Sequence, residues 1–475
     1  MAQPLPNPMV GIQLSPISLL DEGVEPLLDQ LQGRFGINTL MVGTVSWMAL
    51  KVGRSVAAGL DGWPDHGVAA PYPLRGGGYL AHRKSYYRQT LIDDFRTRDE
   101  AFAGKDILDL VIPAARGRGM RIVPELMEPL FRGPRTRTIP TEIPNLAQCL
   151  EVDLHGRLGP EPCTSNPDYR MWWRGMIEEH CREYDIDGIM WCNERQSPLD
   201  RMMQGEAPGC FCPACRRDAA ERGIDVERVR LAFAEVWRFF QDARAGVPFV
   251  DGAFIGFLRV LLCNPEVLVW ERFWLERSKA LDAELYGIVK YCNPKLSFGL
   301  NVWNRNHFNP IRKAQWAWAE QTEWCDWVKP ITYQHQSGGI FMKEMAGFGA
   351  TILRDFTLNE FVPAMYAILG LNEAPAESVV QQGLDPDTYV FGQCADAVRG
   401  VAGKADVYMG IGVDAPRSSA AQARCTPDIV RRSVHATFRA GGKGVVYSPN
   451  YASMRLENLD GGAQALAELG FRMPH

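Results

Sequence analysis

A short apolar run ends in an amide and a carboxylate. The run Gly188–Trp191 is followed by Cys192 and then by the pair Asn193-Glu194. The pattern predicts a strand, and a strand that ends on this pair places both side chains at the rim of a sheet. In barrels of alternating strands and helices, the loops at that rim build the active site.

Such a pair is suited to glycoside cleavage. A carboxylic acid must protonate the departing oxygen, and a second carboxylate acts across the sugar ring. Glu194 is therefore the candidate acid, and Asn193 is placed to bond a sugar hydroxyl. The alternative interpretation is that Glu194 caps a helix or forms an ion pair at the end of the strand.

A group of cysteines follows shortly afterwards, in Cys210-Phe-Cys212-Pro-Ala-Cys215. This spacing lets a tight turn direct three sulfur atoms at one ion, and structural zinc normally takes four ligands. Cys163, in Glu161-Pro-Cys163-Thr-Ser-Asn166-Pro-Asp-Tyr-Arg170, is the candidate fourth ligand. The alternative for these residues is a set of buried, reduced thiols.

The segment from 163 to 215 resembles the family-forty-two β-galactosidases of the clan A glycoside hydrolases. It also looks like uncharacterised barrel proteins grouped with glycoside hydrolases. That family has a Cys-Pro-Asn-Ser-Pro-x-Tyr-Arg-like segment, then an Asn-Glu pair, then a Cys-x-Cys-Pro-x-Cys cluster. The resemblance implies Glu194 as acid/base with Asn193 beside it. It also implies a structural zinc bound by Cys163, Cys210, Cys212 and Cys215.

Two features depart from the family pattern. The gap between Glu194 and Cys210 is longer than in the family. No glutamate stands at the end of strand seven, where the family has its nucleophile; the carboxylate there is Asp414. Aspartate can serve as a nucleophile, and the alternative is that Asp414 caps the next helix or orients its loop. Glu125 and Glu128 are rival second carboxylates, unless either pairs with an arginine in the following loop.

Aromatic and imidazole side chains are predicted at the same rim. A tyrosine there can bond a carboxylate nucleophile, and a histidine can bind a sugar hydroxyl, although lone histidines are more often structural. The candidate substrate contacts are Trp303, His307, Tyr333, His335, His66 and Tyr87, with Tyr447 and Tyr451 completing the rim.

Short apolar strands alternate with amphipathic helices, which favours a parallel α/β fold. The predicted strands are Met9–Leu14, Asn38–Gly43, Arg121–Glu125, the strand before Asn193, Leu296–Trp303, Asp326–Tyr333, Asp406–Asp414 and Lys443–Tyr447. Eight strands in this order predict a single (β/α)₈ TIM barrel over 1–475, and a doubly wound open sheet is the alternative. Residues 199–285 are predicted to form a helical insertion that contains the cysteines. A long loop from about 60 to 90 is rich in Gly, His and Tyr, which favours a functional loop.

The composition excludes some classes of function. A net charge of −5 and a pI near 6.0 favour neither nucleic acid nor an anionic membrane as a partner. The 13 Trp and 14 Tyr offer flat faces that suit sugar rings. The sequence has no phosphate-binding or dinucleotide motif and no nucleophile elbow, so no organic cofactor is expected. The N-terminus does not read as a signal peptide, and a cytoplasmic location is the expectation.

The sequence therefore predicts a glycoside hydrolase that acts on small glycosides or oligosaccharides, retaining configuration if Asp414 attacks the sugar. The alternatives are a lyase, isomerase or epimerase of a modified sugar in the same barrel, and a barrel that binds carbohydrate without catalysis. The expected partner is a carbohydrate substrate, and a homo-oligomer is one option for assembly.

Overall fold

The computed structural model describes residues 8–46, 50–52, 66–67, 72–74, 76–129, 143–415 and 419–471. Eight parallel strands form a closed barrel in which each strand pairs with its neighbours in chain order and the last pairs with the first. They are β1 (Met9–Leu14), β2 (Thr39–Gly43), β3 (Arg121–Met127), β4 (Gly188–Cys192), β5 (Ser297–Val302), β6 (Trp327–Thr332), β7 (Asp406–Gly412) and β8 (Gly444–Ser448). The predicted (β/α)₈ TIM barrel is confirmed.

The predicted strands agree closely with the observed ones. β1 has the predicted bounds, and the ends of β2, β4, β6 and β8 lie within one residue of the prediction. β3 is two residues longer than predicted, and β7 ends two residues earlier, at Gly412. Agreement is close because a strand buried on both faces reads as a short continuous apolar run between breaks.

Helices surround the barrel. They are α1 (Pro16–Asp21), α2 (Val24–Phe35), α3 (Ile107–Gly117), α4 (Pro167–Glu183), α5 (Pro198–Met203), α6 (Pro213–Glu221), α7 (Val226–Arg244), α8 (Ala253–Cys263), α9 (Glu266–Cys292), α10 (Pro310–Gln315), α11 (Trp318–Gln321), α12 (Gln334–Gly349), α13 (Leu358–Leu369), α14 (Val379–Gln382), α15 (Phe391–Val401), α16 (Pro427–Arg439) and α17 (Leu456–Glu468). Short 3₁₀ or π turns lie at Lys84–Tyr87, Glu100–Phe102, Leu146–Cys149, Asn304–His307, Pro386–Val390 and Tyr451–Ser453.

Three two-stranded antiparallel sheets lie outside the barrel, and their strands are Val45–Ser46 with Gly77–Gly78, Leu50–Val52 with Tyr72–Leu74, and Leu150–Val152 with Leu158–Pro162. Within the described residues, no single helix has the length and apolar character to cross a membrane, and one pair, α8 and α9, meets those criteria only jointly across an 80° bend.

Large side chains fill most of the barrel interior. Met9, Met41, Met190, Trp327 and Tyr408 belong to a buried cluster that is separate from the larger core between strands and helices. A Cβ on Gly299 of β5 would come within 2.2 Å of the Trp327 ring, so only glycine leaves room for the indole. The interior is thus a packed core.

The predicted insertion after β4 contains α5 to α8 and the first part of α9. The 27-residue α9 then leads into β5, so it also occupies the place of the helix between the fourth and fifth strands. This arrangement puts one face of α9 beside the rim of the barrel.

Candidate active site and candidate metal centre

Glu194 lies two residues beyond β4, and its side chain is partly exposed. The amide Nδ2 of Asn301, on β5, donates to Glu194 Oε1 over 3.3 Å. Glu194 is also close enough to Tyr333, just beyond β6, to influence the pKa of its hydroxyl. The carboxylate therefore lies among side chains from neighbouring strand ends, as the sequence predicted for the rim.

A chain of hydrogen bonds connects Asn301 to a second carboxylate. Lys329 Nζ, on β6, donates to Asn301 Oδ1 over 3.0 Å and to Gln13 Oε1 over 2.8 Å. Gln13 Nε2 in turn donates to Glu125 Oε1 over 2.6 Å. We call Gln13, Glu125, Glu194, Asn301, Lys329 and Tyr333 the mouth cluster. It links the ends of β1, β3, β4, β5 and β6.

Burial and charge oppose each other in this cluster. Burial raises the pKa of Glu125, and the Lys329 ammonium and the bond from Gln13 partly offset that rise. Burial lowers the pKa of Lys329, and the carboxylates of Glu125 and Glu194 oppose that change. The pKa of Tyr333 is raised by burial first and then by Glu194 and Glu125. Paired titratable groups with shifted pKa values are typical of catalytic sites.

Two glycines at the end of β7 make room for the cluster. A Cβ on Gly410 would lie 3.0 Å from Lys329 Cε, and a Cβ on Gly412 would lie 2.9 Å from Tyr333 Cβ. Side chains of β6 thus occupy the space that a side chain at the end of β7 would need. This is the strand end where the family resemblance implied a nucleophile.

Asp414, the predicted carboxylate for that role, is engaged elsewhere. Its Oδ2 accepts a bond from the backbone N–H of Arg455 over 2.7 Å, and both of its oxygens accept from Asn458 Nδ2. Asp414 has a φ of +48°, in the left-handed region. Since α17 begins at Leu456, the carboxylate stabilises the start of that helix. The next helix after Asp414 in the chain is α16, and its N-cap is Thr426, so Asp414 acts at a different helix from the one that the alternative named.

Glu128, the other rival, forms a buried ion pair. Its two oxygens accept from Arg195 Nε over 2.6 Å and Arg195 Nη2 over 2.8 Å, and Glu128 Oε1 also accepts from the Tyr169 hydroxyl. The partner is an arginine, but Arg195 follows β4 and does not lie in the predicted loop after β3. Glu125 and Glu128 are three residues apart, yet only Glu125 joins the mouth cluster.

The four predicted metal ligands come together. Cys163, Cys210, Cys212 and Cys215 are all buried, and their sulfur atoms lie within 4.8 Å of one another. Local structure explains the spacing: Cys212 is the N-cap of α6, Pro213 is its first residue, and Cys215 lies one turn in. Cys163 follows directly after the strand Leu158–Pro162.

The cluster fits a tetrahedral ion. The sulfur of Cys163 lies 3.3 Å from that of Cys215 and 3.5 Å from that of Cys212. Four thiolates about 2.3 Å from zinc would be roughly 3.8 Å apart, so a small expansion suffices. The backbone N–H groups of Val152 and Ser165 point at the sulfurs of Cys210 and Cys163. Bonds from the other cysteines, Cys163 foremost, lower the pKa of Cys212.

No protein-family model and no curated protein matches the sequence. Solved structures do match it. The β-galactosidase from the Antarctic haloarchaeon Halorubrum lacusprofundi aligns at a TM-score of 0.53 and 12% identity, over 97% of this chain and 58% of that one. The β-galactosidase from the psychrophilic Marinomonas ef1 aligns at 0.51 and 12%, over 97% and 59%. That from Rahnella sp. R3 aligns at 0.50 and 12%, over 98% and 57%.

The fold is a (β/α)₈ barrel similar to the barrels of these solved β-galactosidases. At this identity the likeness shows the fold alone. The chain spans less than three-fifths of the length of these three β-galactosidases, so their activity is a proposal for this chain and is treated as one below.

Asn193 does not join Glu194 in the mouth cluster. Its Nδ2 donates to Ser278 Oγ over 3.0 Å and contacts Asp282 Oδ1 at 3.4 Å, both on α9. Trp303 lies beside the guanidinium groups of Arg305 and Arg312, at 5.0 and 4.6 Å from its ring centre. Asn193 and Trp303 line the same cavity between α9 and the segment after β5.

The two histidines predicted at this rim are buried and bonded to the protein. His335, at the start of α12, contacts the Ala415 carbonyl through Nε2 at 3.2 Å. His307 contacts the Tyr389 hydroxyl through Nδ1 at 3.1 Å. Burial lowers the pKa of His307 to about 3, so its ring is neutral near pH 7.

The candidates from the long loop after β2 also have protein partners. His66 contacts Glu22 Oε1 at 2.8 Å and the Met454 carbonyl at 2.7 Å. The buried Tyr87 donates to Glu179 Oε2, on α4, over 2.6 Å. Asp65 lies outside the described residues. His66 and Tyr87 therefore tie the loop to the barrel.

The two tyrosines expected to complete the rim after β8 are enclosed. Tyr447 is fully buried and packs against Gly462 of α17. Tyr451 donates its hydroxyl hydrogen to Glu22 Oε2 over 3.1 Å and accepts from Gln30 Nε2 over 2.8 Å. Neither joins the mouth cluster in the described contacts.

Sequence reasoning missed Gln13, Asn301 and Lys329. Each is a polar residue inside an otherwise apolar strand and lies one to three residues before its end. A buried polar residue needs a partner, so a lysine in the run Trp-Val-Lys-Pro-Ile-Thr was a usable signal. Its partners could not be read from the sequence, because they come from other strands.

Proposed function

We propose that the chain hydrolyses glycosides, with Glu194 as the proton donor and Glu125 as the second carboxylate. The observation that carries this proposal is the bond chain that joins the two carboxylates through Asn301, Lys329 and Gln13 at the carboxyl ends of the strands. Residues in this position of a TIM barrel carry out its chemistry. The substrate class is small glycosides or oligosaccharides.

In this mechanism Glu194 protonates the glycosidic oxygen and later takes a proton from the incoming water. Glu125 either attacks the anomeric carbon or activates water, and the anomer of the first-formed product distinguishes the two routes. The Lys329 ammonium lowers the pKa of Glu125 and so opposes the effect of burial. Asn301 orients Glu194 through its hydrogen bond. The Tyr333 hydroxyl would donate a hydrogen bond to a substrate oxygen or to a carboxylate.

We assign the second carboxylate to Glu125 and not to Asp414 because of their partners. Asp414 is occupied with the start of α17, whereas Glu125 shares Lys329 and Tyr333 with Glu194 as charged or polar neighbours. We further propose that the four cysteines bind one structural zinc ion. Four thiolates leave no open position for substrate, so the ion would stabilise the fold next to the site and take no part in the reaction.

The decisive experiment compares the wild type with Glu194→Gln on a panel of aryl glycosides whose leaving groups differ in pKa. We expect the substitution to lower kcat/KM by about 10²–10⁴-fold on poor leaving groups, which need protonation, and by less on good ones. Glu178→Gln, on the outer face of α4, is the matched control and should retain full activity. Equal losses across all leaving groups would contradict the role of Glu194 as an acid.

A second candidate is a lyase, isomerase or epimerase that acts on a modified sugar. The observation that favours it is the pair of glycines at the end of β7, which leaves no side chain where the β-galactosidase family has its nucleophile. Glu194 would then serve as a proton-transfer base. Turnover of ketosugars or uronates, combined with no turnover of any glycoside, would favour this candidate.

A further inference from the structure

A cavity of about 680 Å³, including the part open to solvent, lies beside the mouth cluster. One wall is a single face of α9, because Trp274, Ser278 and Asp282 are spaced four residues apart. The other wall is the segment after β5, which contributes Trp303, Arg312 and Trp316 to the lining. We call the cavity between these six residues the tryptophan pocket.

The three indoles are only partly buried. They line an open cavity, whereas Trp172 and Trp173 are fully buried in the core. Partly exposed indole rings on two facing walls offer flat apolar surfaces to a ring-shaped ligand. Asn193 adds an amide to the lining.

Two buried N–H donors in the pocket have no acceptor among the described residues. They are Nε of Arg312 and Nε1 of Trp316. Arg312 is 4% exposed, and its other nitrogens donate to Asp200 and to the Arg195 carbonyl. Unsatisfied buried donors are costly, and a ligand that brings acceptor oxygens would satisfy them.

An acceptor faces these donors across the pocket. Asp282 Oδ1 accepts from Trp191 Nε1 over 2.8 Å and lies 3.4 Å from Asn193 Nδ2. Burial, the largest cause, raises the pKa of Asp282 to about 7. The pocket thus combines donors and an acceptor with apolar ring surfaces, which matches the alternating hydroxyls and C–H faces of a sugar.

The cations that line the pocket are already paired with carboxylates. Each cation that lines it has a carboxylate partner, and the pairs are Arg195 with Glu128, Lys279 with Glu320, and Arg312 with Asp200. An anionic ligand would find no free cation in this set. A neutral ligand avoids the desolvation of an added charge.

We propose that the tryptophan pocket binds one neutral monosaccharide unit. The pocket lies next to Glu194, because Asn301 both lines it and donates to that carboxylate. Binding here does not depend on Glu194 being catalytic, since Glu194 is not part of the lining.

Titration of the Glu194→Gln variant with D-galactose, D-glucose, N-acetyl-D-glucosamine and D-glucuronate tests the proposal without turnover. We expect at least one neutral sugar to change the tryptophan fluorescence saturably and to bind more tightly than glucuronate. Trp274→Ala and Trp316→Phe should each weaken that binding about tenfold, the first through lost ring contact and the second through a lost donor. The conservative Trp316→Phe variant keeps an aromatic ring, so a loss of binding in it would not be due to misfolding.

Trp237→Ala is the matched control, because Trp237 is a partly exposed indole on α7 that is not part of the pocket. It should leave sugar affinity unchanged. The proposal is overturned if no neutral sugar binds, if glucuronate binds most tightly, or if both pocket variants bind as the parent does. Binding to the wild type that is lost in Glu194→Gln would also overturn it, because the sugar would then be held by the mouth cluster.

Discussion

The cysteine cluster and the mouth cluster are built in opposite ways. The cysteine cluster takes three of its four members from six consecutive residues, 210–215, and holds them with the N-terminal turn of α6. The mouth cluster takes its members from five strand ends, and the bond between Gln13 and Lys329 spans 316 positions in the sequence. The cysteine cluster consists of four side chains of the same type. The mouth cluster instead combines carboxylates, an ammonium, amides and a phenol, and its titratable groups shift one another's pKa.

The two clusters differ in whether they contribute to stability or to the proposed chemistry. Four buried thiols around a common centre are suited to bind a metal ion, and an ion bound there would stabilise the fold. The mouth cluster carries a buried lysine, which costs free energy unless its partners are correctly placed. Substitutions in the cysteine cluster should therefore act mainly on stability, and substitutions in the mouth cluster mainly on activity and its pH dependence.

Cys212→Ser should produce the largest loss of stability. The wild type should contain about one zinc ion per chain, and the variant should lose it and melt at a lower temperature. Structural zinc in small domains contributes on the order of 10 kcal/mol, and removal of one thiolate forfeits a large part of that. Metal analysis and calorimetry provide the measurement. Cys394→Ser, at a buried thiol elsewhere, should keep the zinc, and a metal-free wild type would contradict the zinc site.

Glu128→Gln should come next. It leaves the buried charge of Arg195 without its carboxylate, which costs about 3–5 kcal/mol in the free energy of unfolding. Glu125→Gln should cost much less, because the bonds that Glu125 accepts come from the neutral groups of Gln13 and Cys192, and it should instead reduce activity. Urea unfolding of both variants measures the contrast, and equal destabilisation by the two would remove the distinction between the carboxylates.

Lys329→Met should shift the pH profile of activity. The Lys329 ammonium lowers the pKa of Glu125, so its removal raises that pKa further. If Glu125 must be ionised, the acidic limb of kcat/KM moves to higher pH. Lys295→Met, at an exposed lysine, is the control. An acidic limb that stays in place would show that Glu125 does not act as an ionised group.

His307→Asn should have the smallest effect at neutral pH, and its effect on stability should be confined to acid. The pKa of His307 is lowered to about 3 in the fold, against about 6.5 in an unfolded chain. As the pH falls from about 6.5 towards 3, the unfolded chain gains a proton that the folded one does not, and stability is lost. The variant should lose less stability over that interval. Parallel pH–stability curves for variant and wild type would contradict the neutral, buried ring.

The strands show how much of the fold was predictable. Runs such as Met9–Leu14 are apolar throughout and are bounded by breaks, so the eight strands and their order followed from periodicity. The end of β7 was placed too late, because the apolar run continues through Val413. There the chain leaves the barrel with Asp414 in a left-handed conformation. The sequence around this aspartate is typical of a strand and does not predict that conformation.

Glu194, Asn193 and the four cysteines show how much of the site was predictable. The cysteine spacing placed all four thiols correctly, and Glu194 lies at the strand end as expected. Asn193 follows the same strand but turns to Ser278 on α9, because adjacent residues at a strand end face different sides. The pairing of Glu128 with Arg195, and of Asp414 with Asn458, depended on segments that the sequence separates by 67 and 44 positions.

The eight strands and the close spacing of Cys210, Cys212 and Cys215 can be read from the sequence, because burial patterns and ligand spacing are local properties of the chain. Contacts between distant segments set the rest: that the sheet closes into a barrel, which carboxylate faces Lys329, which one pairs with Arg195, and that three indoles line one pocket. Those outcomes depend on which side chains of distant strands and helices share the same small volume, where burial and charge set each pKa.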